Sequence, residues 1–191
     1  MEISRKDFVA AAALGASGLA ALKPDTSIDA AQRPPIHLHV VREDEYDHAR
    51  MLGTIQVDKP NKQVFQSLTP LLTGGVASLY LHMQNSMNAF EFSHGLGPGS
   101  LVTLAILTGK SIAYALNDVM WTKYGLGSAF GLAATNVYYA AKSLKETGSP
   151  DDPDAIYQDW SAEAVLHRGG ALMVCHNALT VQAELLGRRS A

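Results

Sequence analysis

Leu101-Val102-Thr103-Leu104-Ala105-Ile106-Leu107 is almost continuously apolar, broken only by Thr103. A run of this length without alternation suits a central strand covered on both faces, as in a parallel sheet. The tight turn Thr108-Gly109 follows at once. After it a helix is predicted over roughly Ser111 to Tyr124, with Ile112, Leu116, Val119, Met120 and Lys123 along one side and Gly125 as C-cap.

Before this run, Leu72, Val76, Leu79, Tyr80, Met83, Met87 and Phe90 recur at intervals of three and four, the mark of one helix face. Thr69-Pro70 offers an early start, Gly74-Gly75 a delayed one, and the loop Gly95 to Gly99 ends the helix. Further back, Ile36 to Val41 alternates and reads as a first strand. Glu43 to Leu52 reads as a short helix or turn, and Asp58 to Asn61 as a turn before Gln63-Val64-Phe65. After the central run, Asn136 to Lys145 is helical or strand-like. Asp152-Pro153 caps a helix predicted from Asp154 to His167 that stops at Gly169-Gly170. Strands alternating with helices through short loops argue for an α/β layered fold with a mostly parallel sheet.

A second apolar run, Ala171-Leu172-Met173-Val174, ends at Cys175, the one cysteine of the chain. His176, Asn177 and a helical pattern from Ala178 to Leu186 follow. A cysteine at a strand-to-helix junction sits near unpaired amide N–H groups and the positive end of a helix dipole, and both favour the thiolate. A lone thiol has no intrachain disulfide partner. Its competing role is packing, because free cysteine is among the most often buried residue types. Ligands of parallel sheets bind beyond the carboxyl ends of the strands. The turn at Thr108 to Ser111 and Cys175 both lie at such ends and are expected to face one crevice.

With 191 residues, 47% hydrophobic and 17% charged, the chain suits one globular domain. The formal net charge of −3, without a basic stripe, excludes a nucleic-acid footprint. One cysteine excludes a disulfide framework and a thiolate zinc site. At the start, Ser4-Arg5-Lys6-Asp7-Phe8-Val9 precedes the small apolar stretch Ala10 to Leu22, too short and too rich in alanine and glycine for a spanning helix. No stable membrane span is expected. The hexapeptide resembles the twin-arginine translocation signal, departing from it at Lys6 and Val9. Residues 1–23 therefore read as an export signal, although no clean Ala-x-Ala follows. The alternative is a cytoplasmic amphipathic helix. Residues 24–35, with Pro24, Pro34 and Pro35, read as a linker to one domain over 36–191.

Several motifs fail their context. Gly109-Lys110-Ser111 looks like the tail of a P-loop, but the glycine required five positions earlier is Leu104, inside the strand. Ser111 reads as a helix start, and Lys110 as a residue able to attract an anion. Gly95-x-Gly97-x-Gly99 precedes a strand, so it is no dinucleotide fingerprint. His37 and His39 share a strand face without a third ligand at recognisable spacing, so no metal is expected. His176 beside Cys175 suggests a thiolate–imidazolium pair. Asn117 and Asp118, polar within an apolar pattern, suggest a buried hydrogen-bond network or a pocket wall. Trp121 and Tyr124 read chiefly as packing residues, with Trp121 kept as a candidate pocket neighbour.

These blocks carry a resemblance. Lys62 to Phe65, Ala115 to Gly127 and Gly169 to Leu179, together with the N-terminal signal, resemble exported members of the DsrE-like superfamily. The resemblance implies a flavodoxin-like three-layer α/β sandwich with a mostly parallel sheet, and homo-oligomers. It also implies, for Cys175, the position of a cysteine that carries a persulfide in the sulfur-relay branch. Relatives continue past the cysteine helix into another strand and helix, whereas this chain stops at Gly187 to Ala191. A shorter sheet, or an edge completed by another subunit, is expected.

Two functions follow. The first is an exported, periplasmic sulfur carrier or transferase. It uses Cys175, with His176, Asn177, Asn117, Asp118, Trp121 and Lys110 as binding residues. A sulfur donor or acceptor protein, or a small sulfur compound, is its partner, and no cofactor is implied. The alternative is a non-catalytic small-molecule-binding or oligomeric assembly module of the periplasm.

Overall fold

The computed structural model describes residues 42–45, 47–55 and 58–190. The strand expected at 36–41 with His37 and His39, the signal segment with Arg5 and Lys6, and the linker lie outside the described residues.

Among the described residues, five strands form: β1 Asn61–Ser67, β2 Leu72–Thr73, β3 Val76–Ala77, β4 Leu101–Leu107 and β5 Ala171–Val174. Six α-helices accompany them: α1 His48–Ile55, α2 Ser78–Asn88, α3 Asp118–Tyr124, α4 Leu126–Phe130, α5 Ala162–His167 and α6 His176–Ser190. The main sheet has the order β1-β4-β5 and is parallel throughout, with Asn61 opposite Leu101 and Leu104 opposite Ala171. The apolar run at 101–107 is thus the central strand, as its composition predicts. Helices flank this sheet, and the architecture is a mixed α/β sandwich consistent with a flavodoxin-like fold. Among the described residues, no helix is long and apolar enough to cross a membrane.

Along β4, Leu101, Thr103, Ala105 and Leu107 are buried and the residues between them half-buried. The buried face lies under α2, where the Thr103 hydroxyl donates to Met87 Sδ at 3.8 Å. Close approach at the start of β5 requires Gly170. A Cβ there would lie 2.6 Å from Val165 Cγ1 and 3.0 Å from Thr103 Oγ1. Above the sheet runs an aromatic chain: ring centroids are 5.8 Å apart for Tyr80–Tyr114, 5.2 Å for Tyr114–Tyr138 and 5.6 Å for Trp121–Tyr138. The Tyr80 and Tyr114 hydroxyls donate to the carbonyls of Tyr114 and Leu71, each at 2.9 Å. Burial, more than any other influence, pushes the ionisation of both phenols upward.

Three predicted helices differ from the fold. The helix with two offered starts takes the delayed one, so the Thr69-Pro70 cap is not used and Leu72 and Val76 of its apolar pattern lie on β2 and β3. Gly74 and Gly75, at φ 59° and 85°, instead turn the β2–β3 hairpin, and α2 begins at Ser78. Consecutive positive φ values are what a two-residue hairpin turn demands. The helix predicted from Ser111 to Tyr124 is two pieces. Gly109–Ala115 coils as a 3₁₀ helix, Leu116 is extended, and α3 starts afresh behind Asn117. Asn117 Oδ1 accepts the Met120 N–H at 3.1 Å, an N-cap bond that competes with helix continuation. Asn117 and Asp118 are therefore exposed at a helix start and form neither a buried network nor a pocket wall.

The helix predicted from Asp154 to His167 is likewise interrupted. Gln84 Nε2 donates to the carbonyls of Ile156 and Asp159 at 3.1 and 2.7 Å, taking acceptors that a continuous helix would use itself. The Asp159 carboxylate accepts from Lys142 N–H and Ser143 N–H, and α5 begins only at Ala162 behind the Ser161 cap. Residues 136–145 are neither helix nor strand. Their backbone N–H groups at 141, 142 and 143 bond the carboxylates of Glu163 and Asp159 instead.

Candidate functional site

Cys175 stands where β5 hands over to α6. Val174 pairs with Leu107, and the next N–H, that of Cys175, donates to the Leu107 carbonyl at 2.9 Å. Leu179 N–H then donates to the Cys175 carbonyl at 3.0 Å, so the first turn of α6 hangs from the cysteine. The thiol is free and half-exposed. It thus sits at the carboxyl edge of the sheet and at a helix start, as its sequence setting predicts.

The turn after β4 lies at the same edge. Thr108 N–H and Oγ1 donate to the Ser67 carbonyl at 2.8 and 3.2 Å, and Ser111 Oγ donates to the carbonyls of Ser67 and Thr108. The Ser67 carbonyl thereby collects three donors and stitches β1 to the turn. Gly109 has φ +52°, and a Cβ there would lie 2.5 Å from the Leu68 carbonyl oxygen. The turn after β4 is thus packed closely against the end of β1.

His176 and Asn177 are exposed in the first turn of α6, and Lys110 is exposed on the turn after β4. Cys175, His176, Asn177 and Lys110 are thus gathered at one edge. The α3 residues are occupied with structure. Asn117 is the cap described above. Asp118 is exposed in the first turn, where a carboxylate complements the helix dipole. Trp121 is 2% exposed, and its Nε1–H is shared between the carbonyls of Ala133 and Ala134, each at 3.2 Å. Between α3 and α6 runs a narrow apolar groove of about 90 Å³, bordered by Leu116, Met120, Tyr124, Leu179 and Leu186.

The sequence reading missed a polar site at the opposite end of the sheet. Arg168, just before β5, places Nη2 2.8 Å from Glu91 Oε2. Its Nη1 donates to Gln84 Oε1 and Asn88 Oδ1 at 2.5 and 2.6 Å, and its guanidinium stacks 4.9 Å over the Tyr157 ring. Asn88 Nδ2 in turn donates to the Tyr157 carbonyl at 3.0 Å. Beside this cluster a cavity of about 330 Å³ opens at the amino end of β4, lined among others by Met87, Leu101, Glu146 and Tyr157. The available signal was Gln84 and Asn88, two amides four residues apart on an otherwise apolar helix face. Among the described residues, no group of three or more His, Cys, Asp or Glu side chains could hold a metal ion.

Comparison with protein-family models, with curated proteins and with solved structures finds no match to this chain.

Proposed function

We propose that the protein is a thiol-based sulfur carrier that holds a persulfide on Cys175. The observation that carries this reading is the free, half-exposed thiol between the end of β5 and the start of α6. The likeness of Gly169 to Leu179 to the cysteine segment of DsrE-like sulfur-relay proteins supports it. In the reaction, the Cys175 thiolate attacks the sulfane sulfur of a donor persulfide or of thiosulfate. The donor S–S bond breaks, the donor thiolate or sulfite leaves with the electron pair, and Cys175–S–S⁻ remains. An acceptor thiolate then attacks the terminal sulfur and regenerates the Cys175 thiolate. No electrons are gained or lost overall, and no cofactor is needed. His176 and Asn177 follow the cysteine in the exposed first turn of α6, and Lys110, exposed at the same end of the sheet, would serve as the cation for an anionic donor such as thiosulfate.

The test is to incubate the full chain with thiosulfate or a low-molecular-weight persulfide and read the intact mass. The expected result is a gain of one sulfur atom, lost on addition of a thiol and absent in Cys175→Ala. An unmodified Cys175 that also resists alkylation in the folded protein sinks the proposal.

The proposal extends to export through the Arg5-Lys6 signal variant and to homo-oligomer formation. Cell fractionation of a tagged chain, with Arg5→Gln and Lys6→Gln as controls, tests the first. Light scattering tests the second. A non-catalytic binding module is the second reading, favoured by the well-formed cavity beside Arg168, at the far end of β5 from Cys175.

A further inference from the structure

Arg168 looks at first like the anion receptor of the cavity it borders, but its guanidinium is already occupied. Three of its N–H bonds go to Gln84, Asn88 and Glu91, Tyr157 covers one face, and the side chain is 5% exposed. Glu91 is 11% exposed and neutralises it. The pair therefore acts as a rigid wall of no net charge.

Charge left over at the cavity is negative. Glu146 lines it, is exposed, and has no ion-pair partner among the described residues. His167 also lines the cavity, and two carboxylates, Glu91 and Glu146, stand there against the one guanidinium of Arg168. The Tyr157 hydroxyl feels both carboxylates. Burial pushes its ionisation upward most strongly, Glu91 and Glu146 push it further, and Arg168 gives the weakest of the opposing effects. Met87 and Leu101 also line the cavity, each 4% exposed. A volume of about 330 Å³ falls at the lower end of the range for small-molecule sites.

We propose that this cavity binds a small organic cation, an ammonium on a short aliphatic body, with Glu146 as its counter-ion and Met87 and Leu101 as its apolar wall. The site uses no residue of the Cys175 edge. From Gly169 to Cys175 the chain runs along the whole of β5, about 20 Å at the usual strand rise. The two sites are therefore tested separately.

The experiment titrates the full chain with n-butylammonium and, separately, with butyrate at matched ionic strength, following backbone amide NMR shifts. Saturable shifts at 99–101, 146, 157 and 167–169 with butylammonium, and none with butyrate, are expected. Glu146→Gln, an exposed change that leaves the fold intact, weakens butylammonium binding about fivefold, and Cys175→Ala leaves it unchanged. Saturable butyrate binding at these residues overturns the proposal. So does the absence of saturation with butylammonium, or a Glu146→Gln variant that binds it equally well.

Discussion

Arg168 Nη2 lies 2.8 Å from Glu91 Oε2, and this nearly buried ion pair ties the end of α5 to the turn that follows α2. Removing one partner strands the other charge in a place where water cannot repay it. Arg168→Ala is expected to cost about 3–5 kcal/mol of folding free energy in urea unfolding. Replacing both partners, as Arg168→Met with Glu91→Leu, is expected to cost much less, because no charge is left unpaired. A double variant as unstable as the single one counts against this account.

Asn117 is assigned a capping bond, and capping has a characteristic replacement pattern. Asn117→Ala is expected to lose about 1 kcal/mol, whereas Asn117→Ser or Asn117→Asp retains most of the stability. Thermal unfolding of the three variants reads the difference. If all three lose stability equally, the bond to Met120 N–H is not what matters at this position.

Gly109 combines a left-handed backbone with contact to a carbonyl. Gly109→Ala brings both conformational strain, about 1–2 kcal/mol for a residue with a Cβ, and a clash with Leu68 O. The expected loss exceeds that of the same substitution at Gly148, which also has positive φ but nothing within 4 Å of a built Cβ. Comparing the two variants separates the clash from the strain.

The buried phenols predict an alkaline limit. Tyr80 and Tyr114 ionise at higher pH in the folded protein than in the unfolded chain, so folding favours their protonated forms. Their contribution to stability is complete below the unfolded value of about 10 and is lost as pH rises above it. Urea midpoints measured across this range are expected to hold steady and then fall. The share of phenolate absorbance that belongs to Tyr80 and Tyr114 should appear only as the protein unfolds. Tyr80→Phe is expected to soften the fall. A phenolate signal for all tyrosines before unfolding contradicts the burial argument.

What could be read from the sequence was whatever depends on neighbouring residues. The run at 101–107, the run at 171–174 and the position of Cys175 between strand and helix follow from local apolar patterning, and the structure has them in those places. Helix continuity was misread where a distant side chain decides it. Gln84 captures carbonyls 72 and 75 residues away and so breaks the helix expected from Asp154. At Asn117 the cue was local but ambiguous, since a polar residue in an apolar period signals a cap as readily as a pocket. Arg168 was overlooked because its partners lie 77 to 84 residues back, on another helix and the turn after it. No spacing rule reaches that far.

The parallel order β1-β4-β5 also sets a timetable. No pairing in this sheet forms through a local hairpin; the β1–β4 edge alone closes over a separation of 41 residues at Thr108 and Ser67. On a growing chain, β1, α2 and β4 emerge long before β5. Until then β4 carries an open flank of unpaired amides and carbonyls beside Leu104 and Ile106, the kind of edge that sticks to other chains. The strand that shields this flank is also the one that delivers Cys175. The thiol edge is therefore the last part of the sheet to be assembled.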